Sequence, residues 1–297
     1  MIAIDSKDTV MMHTEVALDR DALRDCVRST LTRLSRTGEL PALPATATAA
    51  LAVARDPDAG MEELCGIIRV DVGLSARILR VANSAAYARR APAKTLKEAV
   101  LTVGLRKTCD LLVAASARKL FETGHRAEHL WNHALAAGIA AEELARLTRG
   151  VEPAAAFLPG LFHDVGRIAF MLADPLAYDV IVGLVHEGAG TPNDLERGWY
   201  GFDHAEAGAI LAEDWGLAAD QCDGIRWHHR PEEAEVGLRL AGILQAADAL
   251  AYASGCGLHP GNAPVADLVG LGIAAEDAEA CRERVRAAFL QQNDLLR

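Results

Sequence analysis

Apolar positions recur at helical spacing along most of this chain. In the segment DVGLSARILRVANSAAY (71–87), Leu74, Ile78, Val81 and Ala85 fall on one face of a helix, with Arg77 and Arg80 flanking the stripe. Similar patterning runs from Asp19 to about Phe121, broken at PALP (41–44), DPDAG (56–60) and RRAPAK (89–94). Thr95 followed three residues later by Glu98 is a capping-box signature and predicts a new helix there. Val and Ile do not gather into short alternating runs, so the pattern gives no strands and the expected class is all-α.

A polar stretch, ETGHRAEH (122–129), is the best boundary between two lobes, one over 19–121 and one over 122–297; residues 1–18 read as a flexible leader. In the second lobe the helical faces carry unusual members. His133 lies on the face of Ala136, Ala140, Leu144 and Leu147. Asp164 shares a stripe with Phe157, Leu161, Ile168 and Met171, in a helix that Pro159 kinks or starts. Asp203 and Glu206 stand at capping-box spacing, which puts His204 in a helix's first turn, and Gly216 ends that helix. His228 and His229 close a helical stretch stopped by Pro231. Asp248 sits among Ala241, Leu244 and Ala251, and an amphipathic helix from about Glu276 closes the chain.

Composition narrows the function classes. Of 297 residues 51% are apolar and only 5% aromatic, which suits helices packed closely through small side chains. The 41 acidic residues outnumber the 30 Lys and Arg, against a nucleic-acid or anionic-membrane surface, both of which need a basic field. ARR (88–90) is one local basic patch, read as a solvated loop. No apolar run is read as long enough to span a membrane and no signal peptide is read, so the expected location is the cytoplasm. The six cysteines are scattered without a C-x-x-C, in keeping with a reducing compartment.

The chemistry is concentrated in His133, the pair His163-Asp164, His204, the pair His228-His229, and Asp248. Each has an ordinary reading alone. His133 could be a hydrogen-bonded core histidine, Asp248 an arginine partner, and the His pair a helix end that favours cations. As a set they stand on separate helices or helix ends, and such groups are costly to bury without partners. A shared divalent cation satisfies most of them at once. His13, His125, His129, His186 and His259 show no such patterning and are expected at the surface.

The same order, together with LPALP (40–44), DVGLSARILRVANSAAY (71–87), TLKEAVLTVGL (95–105), LWNHALAAGIAAEELA (130–145), LPGLFHDVGRIAF (158–170), FDHAEAGAILAEDWGL (202–217) and IRWHHRP (225–231), resembles the HD superfamily of metal-dependent phosphohydrolases. The finer likeness is to the HDOD (HD-related output) domain of bacterial signalling proteins, over nearly the whole chain from about residue 30. It implies a multi-helix HD-like bundle with an additional N-terminal helical lobe. It also implies a primary metal on His133, His163, Asp164 and Asp248. His204, His228 and His229 match positions that hold a second metal in binuclear relatives such as the HD-GYP phosphodiesterases. One or two ions of Fe, Mn or Zn are therefore expected.

The resemblance implies a regulatory module of signal transduction with signalling-protein partners rather than an enzyme. The alternative is a metal-dependent phosphohydrolase acting on a nucleotide or other phosphoester, with Asp164 and Arg167 in the catalytic set. Arg167 stands where that family's motif has Lys, HHRPEEAEVG replaces the Gly-Tyr-Pro loop, and His129 takes the place of an acidic ligand. These departures argue against cyclic-di-GMP hydrolysis.

Overall fold

The protein is described by a computed structural model, which covers residues 20–34, 41–87, 91–122, 127–256, 268 and 270–296. Every regular element among the described residues is helical, as the periodicity predicts. The leader, the ARR patch, His13, His125 and His259 lie outside the described residues. His129 and His186 are exposed.

The N-terminal part of the chain forms α1 (Arg20–Leu34), α2 (Ala45–Arg55), α3 (Met61–Arg69), α4 (Val72–Ala82), α5 (Leu96–Val103) and α6 (Leu105–Phe121). The stripe on α4 is core: Leu74, Ile78 and Val81 are buried. Asp71 caps that helix by accepting from the Leu74 amide at 3.1 Å. At the start of α5, Thr95 accepts from the Glu98 amide, whereas the Glu98 carboxylate takes the Lys94 amide rather than that of Thr95. The chain then runs through α7 (Ala127–Leu147) and α8 (Pro153–Phe162) to α9 (Val165–Ala173) and α10 (Pro175–His186). It ends with α11 (Pro192–Tyr200), α12 (His204–Asp214), α13 (Ala219–Arg226), α14 (Leu238–Ala251) and α15 (Ala275–Leu296).

α7 packs on α8, α14 and α15, while α12 packs on α9 and α13. The described helices share one core. Lys107 of α6 ion-pairs with Glu142 of α7 and lies over the Phe157 ring of α8, 4.2 Å from its centroid. α15 returns to α4, and its Asn293 accepts from the buried Trp131 indole at 3.0 Å. α1 lies at the N-terminal end of the described chain but packs on α12 and α9, with Arg28 donating to Asp214 at 2.8 Å.

Two expectations need correction. The single helix expected through Asp164 is two helices. α8 begins with Pro153 at its first turn and carries Pro159 inside it. The break falls later, at His163-Asp164, where Asp164 (φ −100°, ψ 7°) leaves helical geometry and its carbonyl takes the Arg167 amide at 3.0 Å. Gly166, directly after the break, lets α9 touch α12: a Cβ there would stand 2.1 Å from the His204 carbonyl oxygen. The second correction concerns apolar length. Pro153–Ala173 is long and apolar enough, by length and composition, to cross a membrane, with mean hydropathy 1.2, but 83% of it packs inside the fold.

Candidate metal centre

The helix break at 163–164, the start of α12, the turn after α13 and the outer half of α14 converge with α7 on one point. Two sets of ligand atoms form there: His133, His163 and Asp248, and beside them Asp164, His204, His228 and His229. All seven residues named from the sequence are thus brought together. Nε2 of His133 lies 3.0 Å from Oδ1 of Asp248, 3.3 Å from Nε2 of His163 and 3.6 Å from Oδ2 of Asp164. In the second set, Nε2 of His204 lies 3.0 Å from Oδ1 of Asp164 and 2.9 Å from Nε2 of His229. Asp164 faces one set with each oxygen.

The ring orientations follow from the other nitrogen of each imidazole. Nδ1 of His133 faces the Cys256 carbonyl at 2.9 Å, that of His163 the Gly160 carbonyl at 2.8 Å, and that of His228 the Ile225 carbonyl at 2.7 Å. Carbonyls only accept, so each Nδ1 carries the proton and each Nε2 of a neutral ring is a lone pair turned inward. Cys256 reaches this place because Tyr252–Cys256 forms a widened turn after α14, with Gly255 at φ 86°. Nδ1 of His204 faces a carboxylate instead, Oε2 of Glu196, at 2.6 Å.

Lone pairs facing lone pairs and carboxylates repel unless a cation or proton lies between them. Nε2 of His228 is buried without a hydrogen-bond partner, and Oδ1 of Asp164 has none apart from Nε2 of His204, 3.0 Å away. Acceptors of this kind fit a divalent cation, and separations of about 3–4 Å between donor atoms suit ligands each about 2 Å from a shared ion. His133, His163, His204 and His228 are at most 1% exposed, whereas Asp248 and His229 are half-buried and mark the side nearest solvent.

Electrostatics divide the set. Burial opposes charge on His163, but Asp164 and Asp248 outweigh it and raise its pKa. Burial and Arg167 oppose charge on His204, yet Glu196 and Asp164 bring it up to about 9. Burial, with His163 and His204 nearby, pushes His228 down to about 3, and burial with His228 pushes His229 well below its ordinary value. Asp164 and Asp248 are held well below the usual carboxylate range despite burial, Asp164 by Arg167, His163 and His204, and Asp248 by hydrogen bonds from His133 and His163.

Arg167 is buried within the same network. Its Nε lies 2.9 Å from Oδ2 of Asp164, and its Nη2 is 3.2 Å from Nε2 of His204. Sequence patterning did not reveal Glu196. It is fully buried on α11, whereas Trp199 of the same helix is 54% exposed. The sequence PNDLERGWY reads as a solvated helix whose inner face would carry the tryptophan, so no local signal exposes the carboxylate.

The HDOD domain profile matches residues 40–231, well over half of the chain. The chain belongs to the HDOD family. Six of the seven site residues fall inside the HDOD match and Asp248 lies beyond it. An HDOD domain protein from Geobacter sulfurreducens has a similar crystal structure, with 24% identity and a TM-score of 0.76 over 94% of this chain and 98% of that one. A provisionally named phosphohydrolase from Shewanella amazonensis SB2B superposes with 27% identity and a TM-score of 0.70, over 91% and 98% of the two chains. An uncharacterized protein of Treponema pallidum (strain Nichols) is 31% identical over 204 residues, 67% of this HDOD chain. This chain spans 40% of that relative's length.

Proposed function

We propose that this HDOD protein is a signal-transduction module whose second lobe is closed around a His/Asp metal centre, and that it acts through signalling-protein partners rather than by turnover. One observation carries the metal part: imidazole nitrogens and carboxylate oxygens from five separate segments face one another within ligand distance, and Nε2 of His228 is buried among them with no hydrogen-bond partner. A divalent cation bound there would tie α7, the α8–α9 break, α12, the α13 turn and α14 into one unit, and its binding free energy would add to that of folding. Fe, Mn and Zn all suit imidazole and carboxylate, and one or two ions fit the two sets.

Arg167 favours the regulatory reading over phosphohydrolysis. A residue that contacts substrate phosphate must turn its donors toward solvent or ligand. Arg167 is 6% exposed and faces Asp164, His204 and Glu196. The phosphohydrolase reading draws support from the name of the Shewanella relative and from the half-buried edge formed by Asp248 and His229. In that reading Asp164 would hold the ion, which would supply Lewis acidity and lower the pKa of a bound water. The buried free cysteines Cys65, Cys109, Cys222, Cys256 and Cys281 support a reducing, cytoplasmic setting.

The deciding experiment is elemental analysis of the untagged protein and of Asp164→Asn, followed by assay of both against phosphomonoesters, phosphodiesters and nucleotides. The proposal expects metal in the wild type, loss in the variant and no turnover. Turnover that vanishes in Asp164→Asn would make the protein an enzyme, and absence of metal after reconstitution would remove the centre.

A further inference from the structure

We infer that Glu196 is the positioning residue of the second cation position, so that it decides whether the centre holds one ion or two. The inference rests on the metal reading above and goes beyond it by making the two positions unequal.

Around the first position, His133 and His163 are each held by a neutral backbone carbonyl. Around the second, His204 is held by a carboxylate. Oε2 of Glu196 accepts from Nδ1 of His204 at 2.6 Å and from the His204 backbone amide at 2.8 Å, so it fixes both the ring and the first residue of α12. Oε1 accepts from the Tyr178 hydroxyl at 2.9 Å. Tyr178 in turn stacks on Phe170, with ring centroids 5.6 Å apart. Glu196 is therefore itself locked in place. A carboxylate behind a ligating histidine makes the imidazole a stronger donor and selects the tautomer with Nε2 free.

Charge points the same way. The first position has two carboxylates, Asp248 and one oxygen of Asp164, which match one divalent ion. The second has the other oxygen of Asp164 and three imidazoles, and it has the Arg167 guanidinium 3.2 Å from Nε2 of His204; the same guanidinium also lies 2.9 Å from Oδ2 of Asp164, the oxygen facing the first position. A fixed positive charge beside a cation position weakens it unless it is offset. Asp164, 2.9 Å from Nε of Arg167, offsets part of it, and Glu196, 3.7 Å from Nη1, is a second buried carboxylate placed to do so.

The test is Mn2+ titration of metal-free wild type, Glu196→Gln and Tyr178→Phe, read by ions bound per chain and by electron paramagnetic resonance. The expected results are two ions and the spectrum of a coupled pair in the wild type, and one tight ion with an isolated-ion spectrum in Glu196→Gln. Affinity for the second ion should fall roughly 10–100-fold, as for other carboxylates behind ligating histidines. Tyr178→Phe keeps the carboxylate and should keep the coupled pair. The spectral change separates positioning from a general loss of stability, which would affect both ions together. Two ions of unchanged affinity in Glu196→Gln, loss of both ions together, or a single ion in the wild type would each overturn the inference while leaving the metal reading standing. A wild type that binds no Mn2+, Fe2+ or Zn2+ would overturn both.

Discussion

Nε2 of His133 and Nε2 of His163 lie 3.3 Å apart, with Nδ1 of each ring committed to a backbone carbonyl. Turning either ring over would break a buried hydrogen bond, which costs about 1–3 kcal/mol. The pair is therefore built to share something positive, and a bound cation would stabilise the native state alone. At a free concentration one hundred times its dissociation constant it would add about 2.7 kcal/mol. For a chain of this size that corresponds to a rise of roughly 4 °C in melting temperature. Thermal melts in excess Mn2+ or Zn2+ and in excess chelator check this. Coincident melts would mean that the pair is satisfied by protons.

Asp110 of α6 predicts an inverted pH dependence. It is fully buried, neither carboxylate oxygen has a hydrogen-bond partner, and Nε of Arg106 stays 3.6 Å away. Burial pushes its pKa up to about 7 against the pull of Lys107 and Arg106, with Glu142 adding to the rise. The folded state thus holds this proton more tightly than the unfolded chain, whose carboxyl ionises near 3.8. The contribution to stability is full below about pH 4, falls as pH rises from 4 to 7 and is lost above 7. Asp110→Asn removes the penalty. It should raise stability by up to about 4 kcal/mol at pH 8 and change little at pH 4. Denaturant unfolding of both proteins at the two pH values measures it, and an equal shift at both would show that Asp110 does not titrate in this range.

Gly166→Ala should damage the centre from outside the ligand set. The added Cβ would meet the His204 carbonyl oxygen at 2.1 Å and the Gly208 amide nitrogen at 2.8 Å, both backbone atoms with no side-chain freedom to yield. α9 must then move away from α12, carrying Asp164 from His204. The expected cost is about 3 kcal/mol or more, at the upper end for overpacking. Loss of at least the second ion should accompany it. A variant with wild-type melting and metal content would show that this helix contact is not tight.

The sequence exposed those features that disturb a regular pattern. Asp248 and His133 interrupt apolar helix faces, and a carboxylate or imidazole in such a place is visible in a periodic reading. Asp203 with Glu206 was legible too, because a capping box is a local motif; both of its hydrogen bonds form, at 3.0 Å. The break at His163-Asp164 was not, since the close approach of α12 to Gly166 beside it is a contact distant in sequence. Glu196 was missed for the related reason that its burial is set by Tyr178, His204 and Arg167 on other helices. Asp110 was legible in principle, because it stands between Cys109 and the apolar run Leu111–Val113, although Glu142, which adds to the rise in its pKa, is distant in sequence.

Arg167 separates a structural cation from a catalytic one. Its guanidinium is the buried positive charge for Asp164 and stands 3.7 Å from Glu196. In Arg167→Met those carboxylates lose it, and breaking a buried pair in this way costs about 3–5 kcal/mol. A divalent cation supplies positive charge at the same place. The deficit of the variant should therefore be large in chelator and should shrink in saturating Mn2+, which paired melts of wild type and variant will measure. Arg167→Lys keeps the charge but not the planar fork, so it should fall between the two. If Arg167 instead serves to contact a substrate phosphate, Arg167→Met would abolish turnover while its melting deficit stayed the same with and without the ion.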